Sequence, residues 1–157
     1  MSASELVATC VSRGITIATA ESLTAGLVSA SIADVPGCSA VFRGGVVAYA
    51  TDVKGRVLGL NADDLEHVVS EQVASELARR ACIVLSADLG ISTTGVAGPD
   101  PLDGQEPGSV WIAVHDRTNS RTRTRHLDLT GNRAEIRHSA ATAAISLAVE
   151  ALDVSGT

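Results

Sequence analysis

Apolar residues fall in short clusters punctuated by glycine, proline and small polar residues, and their period alternates between helical and strand-like. Residues 6–11 carry apolar positions at helical spacing, and Gly14 stands where a capping glycine ends a helix. Residues 15–20 form a short apolar, β-branched run that suits a buried strand. Residues 27–35 read as a small-residue helix closed by Pro36-Gly37. A second apolar run, residues 41–50, contains Gly44-Gly45. Thr51 and Asp52 are expected to cap a following helix through residues 54–60. Residues 61–67 form another capped segment. Ser70-Glu71 opens a long helix to residue 85, with Val73, Ala74, Leu77, Ala81, Val84 and Leu85 at helical spacing. Strands are expected at residues 89–94, 109–115 and 121–129, and a closing Ala-rich helix at 133–152.

Helical segments separate the first three strands, so these should run parallel with right-handed crossovers. The turn at residues 116–119 is too short for anything but an antiparallel pair. The pattern predicts a single-domain α/β chain over residues 1–157. Its architecture is a three-layer α/β/α sandwich with a mixed, mostly parallel five-stranded sheet.

Composition narrows the function. One Phe, one Tyr and one Trp make base stacking poorly supported, and a net charge of −6 disfavours a polyanionic partner, so no nucleic-acid binding is expected. No apolar run reaches membrane-spanning length, and the first residues lack the basic stretch of a signal peptide, so no membrane partner and a cytoplasmic location are expected. Cys10, Cys38 and Cys82 are read as reduced, mostly buried thiols. The four histidines show no metal-ligand spacing, so no metal and no cofactor are expected.

In sheets of this type, ligands bind beyond the carboxyl ends of the parallel strands. Three segments leave those ends: residues 21–26, 49–54 and 94–99. Small residues there allow close approach to the backbone, and helix N-termini after the first two strands offer N–H donors for an anion or oxyanion. Ser22 is a candidate nucleophile, or alternatively a helix N-cap. His115 and His126 should fall elsewhere. Lys54 is therefore the available base, which requires a lowered pKa; the alternative is a solvated first-turn lysine. Tyr49 could orient Lys54 or donate to substrate, or pack in the core with its hydroxyl exposed. Arg133 and Arg137 share a helix face and could clamp a phosphate or carboxylate, or form surface ion pairs. Arg121, Arg123 and Arg125 alternate along one strand face and suit a solvated sheet edge.

These residues together resemble the CinA C-terminal domain family, which also occurs alone as nicotinamide mononucleotide (NMN) deamidase. The resemblance rests on Ala20-Glu21-Ser22-Leu23-Thr24-Ala25-Gly26, on Asp34-Val35-Pro36-Gly37, and on Gly44-Gly45-Val46-Val47-Ala48-Tyr49 followed by Lys54. Thr94-Gly95-Val96-Ala97-Gly98-Pro99 and Arg133-Ala134-Glu135-Ile136-Arg137 complete it. It implies hydrolysis of the carboxamide of NMN to nicotinate mononucleotide and ammonia, with Ser22 as nucleophile, Lys54 as base and Tyr49 in the catalytic set, without a metal. It further implies an oxyanion site at Thr24, Ala25 and Gly26 beside Glu21. The nucleotide would be held by Thr94, Gly95, Ala97, Gly98, Arg133 and Arg137. A small-molecule nucleotide substrate and a homo-oligomer, a dimer, are expected as partners. Departures from the family pattern are Leu23 for Cys, Ala25 for Gly, Ala50 for Ser, Thr51 for Asn, and Asp100-Pro101-Leu102-Asp103 for a glycine-richer loop. The methyl of Ala25 is expected to hinder approach to the backbone. A non-catalytic nucleotide- or partner-binding module of the same fold, and an amidase for a different carboxamide, are the competing readings.

Overall fold

A computed structural model describes residues 1–154. The elements in chain order are α1 (Ala3–Arg13), β1 (Ile17–Glu21), α2 (Leu27–Ala33), β2 (Phe42–Val47), α3 (Thr51–Leu58), α4 (Glu71–Leu85), β3 (Leu89–Gly95), β4 (Ser109–Asp116), β5 (Arg121–Asp128) and α5 (Arg133–Val154). The sheet order is β2-β1-β3-β4-β5. Strand β1 pairs parallel with β2 and β3, whereas β3/β4 and β4/β5 are antiparallel. The mixed five-stranded α/β architecture is the expected one.

Local chemistry sets the helix ends. Ser2 and Glu5 form a capping box at the start of α1, and Gly14 closes it with φ +64°. Ile15 donates its N–H back to Cys10, and Thr16 is tied to the Asp88 carboxylate. Those bonds keep residues 15 and 16 out of β1, which begins two residues later than the pattern suggests. Ser70 caps α4 through the Val73 N–H. Asn132 caps α5, accepting from Ala134 and Glu135. The expected caps on α3 are not made: its N-cap is Ala50 with no side-chain bond, and Thr51 and Asp52 lie inside the helix. Strand β2 stops at Val47 because the Ala48 and Tyr49 carbonyls turn to Lys54 instead of continuing a ladder.

Strand alternation divides the core. Ile17, Leu89, Ile91, Val110, Ile112 and Val114 pack with α1, α2 and α5 on one face. Ala18 and Ala20 pack with Leu58, Val73, Leu77 and Ala81 of α3 and α4 on the other. With almost no aromatic residues, close approach replaces bulk. A Cβ on Gly90 would lie 2.0 Å from the Ala78 carbonyl oxygen, so α4 can lie directly on β3 only because residue 90 is glycine. The edge strand β5 is less solvated than its alternation suggests: Arg125 pairs with the Glu150 carboxylate of α5, and Arg123 donates to the Glu150 carbonyl. Cys10 and Cys82 are buried free thiols and Cys38 is half-buried. No helix among the described residues is long and apolar enough to cross a membrane.

Candidate active site

The carboxyl ends of β1, β2 and β3 open on one cavity of about 250 Å³. This is small beside the roughly 300–1,000 Å³ of drug-sized ligand sites, so it suits a small substrate and not a polymer. Ser22 and Leu23 enter it after β1, Tyr49, Thr51 and Lys54 after β2, Thr94 and Gly95 at the end of β3, and Ala97 and Gly98 just beyond it. Arg133, from the start of α5, completes the rim.

Ser22 continues the β1 face that looks toward α3. Its N–H joins the ladder to the Thr93 carbonyl, which fixes the backbone beneath the hydroxyl. It is not a helix cap, because the N-cap of α2 is Gly26, four residues on. Lys54 is 1% exposed and so is not a solvated lysine. Its Nζ lies 3.0 Å from Ser22 Oγ, 3.0 Å from the Ala48 carbonyl and 3.1 Å from the Tyr49 carbonyl. Burial disfavours the ammonium and lowers the Lys54 pKa to about 8, with the Asp103 carboxylate partly opposing the shift. In the neutral amine, two N–H bonds satisfy the two carbonyls and leave the lone pair facing the Ser22 hydroxyl. This arrangement can remove a proton from Ser22.

Tyr49 is half-exposed at the mouth, where its hydroxyl accepts a hydrogen bond from Arg133. Arg133 also donates to the Gly98 carbonyl, tying the loop after β3 to α5. Thr94 lines the cavity, but its hydroxyl is committed to the Val68 carbonyl.

Five of the candidate binding residues lie off the cavity lining. Glu21 is 1% exposed and points to the opposite face of β1. Its carboxylate accepts from Thr24 Oγ1, the N–H groups of Gly26, Val28 and Ser29, and Ser29 Oγ, all within 3.0 Å. The first N–H donors of α2 are thereby occupied by the protein's own carboxylate and are not available to an anion or oxyanion. Thr24 is buried against Glu21 and Thr93. Ala25 and Gly26 turn the chain with φ of +49° and +99°. Ala25 is exposed to solvent, so its methyl does not obstruct the cavity. Arg137 is committed to the Leu23 and Thr24 carbonyls.

Residues that the pattern did not single out also line the cavity. Val68, Val69 and Val96 form an apolar wall, and Asp100, Pro101 and Leu102 close one side. The segment carrying Val68 and Val69 has no period to mark it. The loop after Pro99 was visible only as a departure from the family pattern. Among the described residues no group of three or more His, Cys, Asp or Glu side chains could hold a metal ion.

Comparison with known proteins gives a consistent answer. The family model described as CinA C-terminal domain matches residues 1–152. A Bacillus subtilis protein whose name provisionally calls it competence-damage inducible is 44% identical over 135 residues, which is 85% of this chain and 32% of that protein. The corresponding Bacillus velezensis protein is 41% identical over 95% of this chain and 36% of its own length. The chain thus spans about a third of the length of the curated relatives it matches. Among solved structures, a CinA superfamily protein from Klebsiella pneumoniae superposes with a TM-score of 0.92 at 28% identity, covering 97% of this chain and 96% of that one.

Proposed function

The chain belongs to the CinA C-terminal domain family, and from that premise we propose that it is a serine–lysine amidohydrolase that converts NMN to nicotinate mononucleotide and ammonia. The observation that carries this reading is the 3.0 Å contact between the buried Lys54 Nζ and Ser22 Oγ at the floor of a small cavity.

Neutral Lys54 takes the hydroxyl proton as Ser22 Oγ attacks the carboxamide carbon. The carbonyl oxygen becomes the oxyanion of a tetrahedral intermediate. Protonated Lys54 then gives its proton to the departing nitrogen, the C–N bond breaks, ammonia leaves, and an ester to Ser22 remains. A water enters, loses a proton to Lys54 and attacks the ester. Collapse returns that proton to Ser22 Oγ and releases the carboxylic acid. The flat ring carrying the carboxamide meets Val68, Val69 and Val96, and Arg133 at the rim faces the anionic end of the nucleotide.

The test is to incubate the protein with NMN and quantify nicotinate mononucleotide and ammonia. Equal amounts of both are expected, and no product at high enzyme concentration would overturn the reading. A second reading, an amidase for a different carboxamide, is favoured by Asp100 on the cavity wall, a carboxylate that opposes a phosphate. Nicotinamide riboside, which lacks the phosphate, is the discriminating substrate. Faster turnover of the riboside than of NMN selects the second reading.

A further inference from the structure

Arg137 lies outside the cavity, yet it grips the peptide chain immediately after the nucleophile. Its Nε donates to the Leu23 carbonyl at 2.8 Å and a terminal nitrogen donates to the Thr24 carbonyl at 3.0 Å. A planar guanidinium can bridge two successive carbonyls in this way, whereas an ammonium acts from a single point. In a trans peptide the C=O and the following N–H point in opposite directions. With the Leu23 carbonyl drawn toward α5, the Thr24 N–H is turned away from α5. Alternation along β1 shows where that leads. Ile17 packs on the α5 side and Ala18 and Ala20 on the α3 side, and Ser22, bonded to Lys54 of α3, continues the second set.

The donors in question have no partner. Among the described residues the N–H groups of Leu23 and Thr24 make no hydrogen bond, although these residues are only 2% and 0% exposed. The neighbouring N–H groups are all committed: Ser22 to Thr93, Ala25 to Ser22, Gly26 to Glu21 and Leu27 to Thr24. Buried N–H groups are nearly always paired, so two adjacent orphans beside a nucleophile point to a ligand atom that arrives during the reaction.

We infer that Arg137 is a positioning residue: by holding the Leu23 carbonyl it aims the N–H of the same peptide, that of Thr24, beside the Leu23 N–H at the oxyanion formed when Ser22 attacks. The inference rests on the acyl-transfer reading of Ser22. It moves the oxyanion donors from residues 24–26 to residues 23 and 24, and it gives Arg137 a task other than contacting the nucleotide.

The experiment compares wild type with Arg137→Met and Arg137→Lys, each checked for folding by its thermal melt. Steady-state kinetics on NMN are paired with affinities for two ligands. Pyridine-3-carboxaldehyde can form a tetrahedral adduct on Ser22, while nicotinate mononucleotide binds without one. Loss of a single oxyanion donor lowers kcat by about 100- to 1,000-fold. The expected result for Arg137→Met is therefore a kcat drop of about 100-fold with KM changed less than about threefold. Affinity for the aldehyde should fall and affinity for nicotinate mononucleotide should stay level. Arg137→Lys should recover only part of kcat. An unchanged kcat, a raised KM at constant kcat, or equal losses for both ligands would overturn the inference while wild-type turnover leaves the reading of Ser22 standing. A wild type that neither turns over NMN nor binds the aldehyde overturns that reading, and the positioning role with it.

Discussion

Replacing Lys54 by methionine should alter how stability depends on pH, quite apart from its effect on catalysis. Burial lowers the Lys54 pKa from 10.5 to about 8. Below pH 8 both the folded and the unfolded chain hold the lysine proton, and the penalty for burying an ammonium is fully present. Between pH 8 and 10.5 the folded chain releases the proton first. The unfolded chain then binds more protons, so stability rises with pH. At about 1.4 kcal/mol per pH unit, the whole penalty is about 3 kcal/mol, of which about 2.5 kcal/mol is relieved between pH 7 and pH 10. Lys54→Met carries no titrating group at this site. The variant also leaves the Ala48 and Tyr49 carbonyls without their donor, but carbonyls do not titrate, so that loss shifts its stability by a constant. The assay is urea unfolding at pH 7, 8, 9 and 10, followed by circular dichroism. The wild type should gain about 2.5 kcal/mol relative to the variant across that range. Parallel pH dependences, with a relative change below about 0.5 kcal/mol, would show that the lysine is not held toward its neutral form and would refute the base assignment.

The same lowered pKa sets a rate profile: kcat/KM should rise about tenfold per pH unit below pH 8 and level off above it, and a profile flat from pH 6 to 9 would exclude a lysine base. Ala25→Gly should raise stability by about 1 kcal/mol in denaturant unfolding, because φ of +49° is strained for any residue with a Cβ; a neutral or destabilising result contradicts the turn geometry. Glu21→Gln puts an amide NH₂ against a ring of donors and should cost about 2–3 kcal/mol, read as a lowered unfolding midpoint; a change below about 0.5 kcal/mol would mean that the carboxylate does not hold the start of α2.

The legible parts of the fold are those whose signal is local. The capping glycine at residue 14, the cap at Ser70 and the short turn between β4 and β5 each carry their own chemistry. The meeting of Ser22, Tyr49 and Lys54 followed from parallel topology, since all three leave the same end of the sheet. What remained hidden depends on contacts between distant residues. Glu21 sits next to Ser22 in sequence, yet strand alternation sends its carboxylate to the other face, where the N–H groups of α2 surround it. Arg133 and Arg137 share a helix face, but one turn of helix separates a residue at the cavity rim from one bonded to the chain behind it. Val68 and Val69 come from an irregular stretch whose hydrophobic pair has no period to interpret. Arg123 and Arg125 looked like a solvated edge because nothing local announces Glu150 of α5.

The central claim is that Ser22 attacks a carboxamide with Lys54 as its base. Ammonia release from NMN at pH 8.5 by wild type, Ser22→Ala and Lys54→Ala, each shown to be folded, tests it most directly. The account predicts steady release by wild type and a loss of at least about 1,000-fold in either variant. Ammonia release by Ser22→Ala at the wild-type rate would contradict it.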